Sequence, residues 1–242
     1  DRDGIIWIAT EDGLNRYDGA KFTVYRNEKS NPHSLLNDYV RTLYEDKQGR
    51  LFIGSLNGLQ IYDRATASFT TIPMYLSSGA SIDPNIATIL ERNNGEILIG
   101  TSGHSMFLLE TRGDSIKARQ ISRFISSNLI TYAYEDRKGN LWIATGDNGI
   151  FRFDKNNQSK HYSGEKDIAK NTVSSMCEDK QGNLYMSSLK KGLFIYDDKK
   201  DVFIPFTDTP NPDLPIKILY PGDQNEIFIG TDGSGMKVYD TQ

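Results

Sequence analysis

The sequence predicts an all-β chain, a β-propeller built of four-stranded antiparallel blades, and three observations predict it. First, one motif recurs through all 242 residues: a polar turn, an apolar strand ending in a small or hydroxyl residue, a glycine, then an aromatic strand ending in an acid. The copies are DRDGIIWIATEDGLNRYD, DKQGRLFIGSLNGLQIYD, RNNGEILIGTSGHSMFLLE, DRKGNLWIATGDNGIFRFD, DKQGNLYMSSLKKGLFIYD and GDQNEIFIGTDGSGMKVYD. Second, the turn positions Gly4, Gly49, Gly95, Gly139, Gly182 and Asn225 stand 45, 46, 44, 43 and 43 residues apart. A near-constant period of this length, in strand-type units, marks a blade array. Third, the segments between turns are short and rich in β-branched and aromatic residues, as strands are.

One blade can be read from the second copy. Tyr39–Tyr44 is a buried inner strand, and Asp46 to Gly49 is the hairpin that follows it, with aspartate to bond the turn backbone and glycine to tolerate positive φ. Leu51–Ser55 is the second strand, and Asn57-Gly58 is a strong hairpin signal before a third strand at Leu59–Tyr62. Phe69–Ile72 is the outer strand. Applied along the chain, this gives a single propeller segment, 1–242, with blades at about 1–35, 36–80, 81–126, 127–169, 170–210 and 211–242. The first blade lacks an inner strand and the last an outer one. The expectation is therefore an arc of a larger ring of seven blades, truncated at both ends.

The aromatic or apolar position of the second strand (Trp7, Phe52, Leu98, Trp142, Tyr185, Phe228) is expected to pack between neighbouring sheets. Cys177, on an inner strand, is expected to be a small core residue; a lone cysteine excludes an internal disulfide. The formal net charge of -4 offers nucleic acid no global attraction, and no run of 18 apolar residues is present. The histidines His33, His104 and His161 show no metal-ligand spacing, and no metal or cofactor is expected. No Gly-x-Ser-x-Gly, phosphate loop or His-Glu-x-x-His occurs.

The string DGIIWIATEDGLNRYDG, followed by FTVYR and SLLNDYVRTLYEDKQG, resembles the two-component-regulator propeller repeat. GLNRYDG (Gly13–Gly19) is similar to the first repeat of the N-terminal propeller of such proteins. The third copy departs at Glu91-Arg92-Asn93-Asn94 and Ser105-Met106, and the sixth at Pro221 and Asn225. The resemblance implies a periplasmic sensor region of a hybrid two-component histidine kinase of the type with which gut Bacteroidetes detect glycans. It implies a parent inner-membrane protein in which two propellers precede a β-sandwich, a transmembrane helix and a cytoplasmic kinase, acting as a homodimer. The oligosaccharide, acidic or neutral, would then be the ligand.

Loops carried on a rigid scaffold are the usual home of recognition residues. The blade connections and the turns between second and third strands share one propeller face, which nominates Asn37, Asp38, Tyr39, Asn57, Asp83, Asn85, His104, Asn128, Asp147, Lys170, Asn171, Lys190, Lys191, Asp213 and Asp232. Inner-strand alternation adds Arg41, Tyr132 and Lys217. From these the expected ligand-binding set is Tyr39, Arg41, His104, Tyr132, Lys170, Lys190, Lys191 and Lys217, with no catalytic residue. The lysines would suit a uronate or sulfate; the competing reading is a solvated rim whose lysines offset nearby acids. The acids that end the third strands (Asp18, Asp63, Asp154, Asp197, Asp240) lie on the other face and recur in five blades, so they are read as turn-formers. Two rival functions stand beside a sensor: a purely architectural or dimerising propeller, and a propeller glycosidase or lyase.

Overall fold

The computed structural model describes residues 1–113, 115–122, 124–125, 127–163, 172–206 and 214–241. They form two compact units, Asp1–Asn128 and Leu129–Gln242. In the first unit, β1 (Ile6–Thr10), β2 (Gly13–Tyr17) and β3 (Phe22–Tyr25) make a three-stranded sheet. A four-stranded sheet follows in the order β4 (Val40–Glu45), β5 (Leu51–Ser55), β6 (Gly58–Asp63) and β7 (Ser68–Ile72). The third sheet contains β8 (Met74–Tyr75), β9 (Ser81–Ile82), β10 (Ile86–Glu91), β11 (Ile97–Thr101), β12 (Met106–Arg112) and β13 (Ser115–Ile121).

The second unit repeats the plan. Its sheets are β14 (Ile130–Glu135) to β15 (Leu141–Thr145), β16 (Ile150–Phe153) and β17 (Ser159–Tyr162); then β18 (Val173–Glu178), β19 (Leu184–Ser188), β20 (Gly192–Asp197) and β21 (Val202–Pro205); then β22 (Ile216–Pro221), β23 (Glu226–Thr231) and β24 (Met236–Asp240). Apart from β8 and β9 in the third sheet, strands follow chain order and pair antiparallel within each blade, which is the blade topology of a β-propeller.

The third blade differs from the expected four strands. Met74 and Tyr75, which the period assigns to the second blade, pair in parallel with Ala118 and Arg119 on β13. The reason is physical: β13 is a seven-residue edge strand, and an uncovered edge of that length is a liability. Met74, only 1% exposed, also adds an apolar side chain to the core between the second and third sheets.

The cores lie between neighbouring sheets. Leu14, Val40, Ile53, Tyr62 and Phe69 join the first two sheets, and Trp142, Ile150, Tyr162, Met176, Met186 and Phe203 join the fourth and fifth. The second-strand aromatic position packs as the repeat predicts: Phe52, Leu98, Trp142 and Tyr185 are buried, and Trp7 and Phe228 half-buried. Small residues end this strand because the next sheet comes close. A Cβ on Gly54 would lie 2.5 Å from Thr42 Cγ2 and 2.6 Å from Ile86 Cγ2.

The turn aspartate is more than a turn residue. Asp136 Oδ1 accepts the Asn140 amide, while Oδ2 accepts Asn140 Nδ2 and Trp142 Nε1 at 2.8 Å. Asp179 does the same for Asn183 and the Tyr185 hydroxyl, and Asp1 for Trp7 Nε1. Thus the acid folds the hairpin and satisfies the polar tip of the interior ring, which would otherwise be a buried orphan. In the second blade the ring is Phe52, which has no such tip; Arg50 bonds Asp46 Oδ2 instead and lies over the ring. The two divergent blades lose both partners together, having Arg92 with Leu98 and Gly222 with Phe228.

A second device ties neighbouring blades together within each unit. The glutamate ending an inner strand accepts the backbone N–H of the preceding blade's turn: Arg2 to Glu45 at 2.9 Å, Lys47 to Glu91 at 2.8 Å, Arg137 to Glu178 at 2.8 Å. Where Pro221 occupies that position, Lys180 Nζ reaches the Asp223 carbonyl and Gln181 bonds Asn225.

Cys177 is 3% exposed, and burial, with Asp179 and Glu178 nearby, pushes its thiol up to about 12. A thiol both buried and protonated reacts slowly. Native chain mixed with a disulfide reagent such as Ellman's is therefore expected to release less than a tenth of one thiol equivalent in an hour, and a full equivalent once unfolded in guanidinium. Fast stoichiometric reaction of the native chain would contradict this placement.

Candidate functional site

Each four-stranded blade has two edges: one where the inner strand begins and the second-to-third-strand turn lies, and one that carries the acid turns. The first is the candidate recognition edge. It is laced by main-chain bonds that tie the turn to the residues preceding the inner strand: Leu56 to Tyr39, Ser102 to Asn85, Gly146 to Leu129, Leu189 to Thr172 and Asp232 to Pro215.

At this edge the inner strand carries a β-bulge in every sheet that has such a strand. The register slips by one between Val40 and Thr42, Ile86 and Thr88, Ile130 and Tyr132, Val173 and Ser175, and Ile216 and Ile218. The bulged residues are Arg41, Ala87, Thr131, Ser174 and Lys217. A bulge bends the strand and re-aims a side chain, and bulges are common beside binding sites. The frame is periodic, yet the residue it presents is different in each blade.

Arg41 is exposed and reaches into the next blade, where Nη1 donates to Asn85 Oδ1 at 2.9 Å and contacts Ser102 Oγ at 3.4 Å. Beside it, Asn37 Nδ2 donates to Asn57 Oδ1 at 3.2 Å and Asn37 Oδ1 accepts the Tyr39 amide. Asp83 lies against the Asn57-Gly58 turn, its Cβ 4.0 Å from where a Gly58 Cβ would be. His104 is half-buried; its amide donates to Thr101 Oγ1 and its carbonyl accepts Gln120 Nε2. The structure therefore brings Asn37, Tyr39, Arg41, Asn57 and Asn85 to one edge of the first unit.

In the second unit Tyr132 sits one position past its bulge. It packs against the core between the fourth and fifth sheets, with its hydroxyl 3.5 Å from Ser175 Oγ, and burial raises its pKa. It is thus placed apart from the bulge position that Arg41 and Lys217 occupy. Ser174, at a bulge, bonds Ser187 Oγ at 2.9 Å and the Ile216 carbonyl at 2.5 Å. Lys217 is exposed and pairs with Asp232 at 3.4 Å. Lys190 and Lys191 are exposed in the turn after β19, where their amides bond Ser188 Oγ. Lys170, with Asn171 and Asp213, lies outside the described residues.

The other edge is built as the repeat predicts. Asp18, Asp63, Asp154 and Asp197 each accept two backbone amides of the following turn. His33 and His161 are exposed, and His161 stacks on Phe151 with centroids 4.1 Å apart. Among the described residues no group of three or more His, Cys, Asp or Glu could hold a metal ion. What residue counting missed is the bulge itself, because it leaves the period unchanged. An internal alignment does show it indirectly, as one unlike residue within an otherwise repetitive inner strand.

Comparison with known proteins agrees with this geometry. Residues 34–57, 125–147 and 167–190 match the two component regulator propeller family, and the first two segments span the start of an inner strand and its recognition-edge turn. Histidine kinase P4 of Formosa agariphila is 29% identical over 166 residues, which cover 66% of this chain and 12% of that protein. Two extracellular domains from B. thetaiotaomicron share the fold. One, of a system described as one component, has a TM-score of 0.80 at 19% identity over 100% of this chain and 34% of that one. The other, of a hybrid two component system, has a TM-score of 0.74 at 24% identity over 98% of this chain and 32% of that one. The chain thus spans about a third of these structures and a far smaller part of the curated relative. Three stretches of the chain thus match the two component regulator propeller repeat, and the blade topology agrees with that likeness.

Proposed function

We propose that this chain is an extracytoplasmic recognition segment of a two-component signalling protein, and that it binds an oligosaccharide on the edge carrying Arg41. The observation that supports this most directly is the recurrent bulge. A scaffold that repeats its core but presents Arg41, Ala87, Thr131, Ser174 and Lys217 in turn is built to display unlike groups from like positions. Arg41, Asn37, Asn57 and Asn85 supply planar donors and acceptors suited to sugar hydroxyls and carboxylates. The segment itself does no chemistry in this reading; autophosphorylation belongs to a kinase in the parent protein, at an inner membrane. Ligand would act by favouring one packing of sensor protomers, or of this segment against further sensor domains, because equal affinity for both arrangements shifts nothing.

A second reading, an architectural propeller that positions or dimerises the sensor, is favoured by the Lys217–Asp232 ion pair, which neutralises one sector of the edge. Calorimetric titration of the intact sensor region with neutral and acidic oligosaccharides separates the two. Recognition predicts saturable binding that weakens at least tenfold in Arg41→Ala. A companion variant with Lys190→Ala and Lys191→Ala tests the lysine sector, and loss of an acidic sugar there would place the anion site on the fifth blade. Silence across the panel would favour the architectural reading.

A further inference from the structure

The two units contain the same inter-blade cluster, and in one of them a carboxylate is missing from it. In the second unit, Trp142, Arg152, Tyr162, Tyr196 and Phe203 meet between the fourth and fifth blades, and Asp201 closes the group. Asp201 Oδ1 accepts the Tyr162 hydroxyl at 2.6 Å, the Tyr196 hydroxyl, and Arg152 Nη1 at 3.0 Å. Its Oδ2 accepts Lys160 Nζ at 2.5 Å.

Strand registers align the first unit onto this group without ambiguity. Trp7 pairs with Arg16 as Trp142 pairs with Arg152, and Leu14 with Tyr25 as Ile150 with Tyr162. Tyr62 pairs with Phe69 as Tyr196 pairs with Phe203. Every ring and the arginine are therefore retained. Two positions differ. Lys160, which pairs with Arg152, corresponds to Thr23, which pairs with Arg16. Asp201, two residues before Phe203, corresponds to Ala67, two residues before Phe69, and the backbone there is the same, with φ of 56° and 53°.

The change leaves a space. A cavity of about 310 Å³ is lined by Trp7, Arg16, Tyr25, Tyr62, Arg64 and Ala67, together with Asp3 and Ile5. Tyr25 and Tyr62, whose counterparts both donate to Asp201, bond each other at 3.0 Å. Arg64 is engaged by Asp1, Asp3 and Glu45. Arg16 approaches Asp18 at 3.6 Å, a looser contact than the 3.0 Å between Arg152 and Asp201. Ala67 is exposed, so the cavity opens to solvent beside it. Alanine at positive φ is itself a poor choice for that backbone, where aspartate is much better tolerated.

We propose that this cavity is a binding site for the carboxylate of a small ligand, held by Arg16 and the Tyr25 and Tyr62 hydroxyls as Asp201 is held by Arg152, Tyr162 and Tyr196. An arginine with two phenolic donors is a charge-assisted carboxylate cradle, and the Trp7 ring walls one side. The site is lined from β1, β2, β3 and β6 and the turns beside them, not from the bulged strand β4, and is independent of the oligosaccharide site proposed at Arg41. The carboxylate could come from a sugar acid or from a peptide C-terminus.

The test is calorimetric titration of the chain with D-glucuronate, N-acetylalanine and neutral D-glucose, in the wild type, Ala67→Asp, Arg16→Gln and Lys237→Ala. The wild type is expected to bind at least one carboxylate saturably and not glucose. Preference for glucuronate would identify a sugar acid, and preference for N-acetylalanine a peptide end. Ala67→Asp fills the site from within, so it should abolish binding and raise the melting temperature, its fold being checked by far-ultraviolet circular dichroism. Arg16→Gln should weaken binding at least tenfold, and Lys237→Ala, at an exposed lysine outside the cavity, should leave it unchanged. No carboxylate binding by the wild type, equal binding of glucose, undiminished binding by Ala67→Asp or a lowered melting temperature in that variant would each overturn the proposal.

Discussion

Replacing Trp142 by alanine is expected to destabilise the second unit by about 3–5 kcal/mol, the range for emptying a buried aromatic site. The ring is 1% exposed and touches Tyr162, Tyr196 and Phe203 at centroid distances of 5.1–5.7 Å. Its loss also strands Asp136, whose Oδ2 accepts the indole N–H at the base of the hairpin. Trp142→Phe keeps most of the volume but deletes that bond, so it should cost about 1–2 kcal/mol. Urea unfolding followed by circular dichroism measures both. The chain has two tryptophans, Trp7 and Trp142, one in each unit. In Trp142→Ala the remaining fluorescence reports the first unit alone. A loss below 1 kcal/mol would mean that the ring is not the keystone of this core.

Asp201→Ala should cost roughly 2–3 kcal/mol, because Arg152, Lys160 and two tyrosine hydroxyls lose their common acceptor while half-shielded from water. The cost carries a pH signature. Partial burial opposes the Asp201 charge, but hydrogen bonds from Lys160, Tyr162 and Tyr196 and the charge of Arg152 outweigh it, holding the carboxyl well below the usual range. A carboxyl depressed in the folded state stabilises it above the unfolded pKa of about 3.9, and that contribution drains away as pH falls further. Glu178 acts with the opposite sign. Burial is the main cause of its raised pKa, with the Asp136 charge adding to it, so protonation on moderate acidification favours the fold. Melting temperature is therefore expected to hold or rise slightly toward pH 5 and to fall below pH 4. Asp201→Asn should flatten the lower limb and Glu178→Gln the upper one. Identical pH slopes in wild type and Asp201→Asn would refute the assignment.

The sequence made the blades legible because their determinants are local and periodic: a turn, a small strand end, an aromatic, an acid. Phe52, Trp142 and Tyr185 could be placed in the core from that repetition alone. Three features escaped it, each for a physical reason. The strands at 74–82 form because β13 needs its edge covered, a requirement of the sheet that no local motif encodes. The bulges at Arg41 and Lys217 hide because an extra residue in one strand is absorbed within the blade and leaves the repeat length as it was. The Arg152–Asp201 group joins residues 49 positions apart across two blades, and only strand register brings them together. Tyr132 shows the cost of ignoring such slips, since simple alternation aimed at a ligand what the structure seats against Ser175.

The glutamate contacts between blades all point the same way. The turns at Arg2, Lys47 and Arg137 are each held by an acid that arrives about 41–44 residues later. A nascent blade therefore leaves the ribosome with its hairpin amide still waiting for an acceptor, and the following blade completes it. Within each unit, synthesis from the N-terminus becomes a zipper with a built-in direction, in which a later blade completes the turn of the one before it. The same polarity makes each unit unequal under load: a pull that peels a blade from its C-terminal side removes the acceptor and loosens the turn of the blade before it.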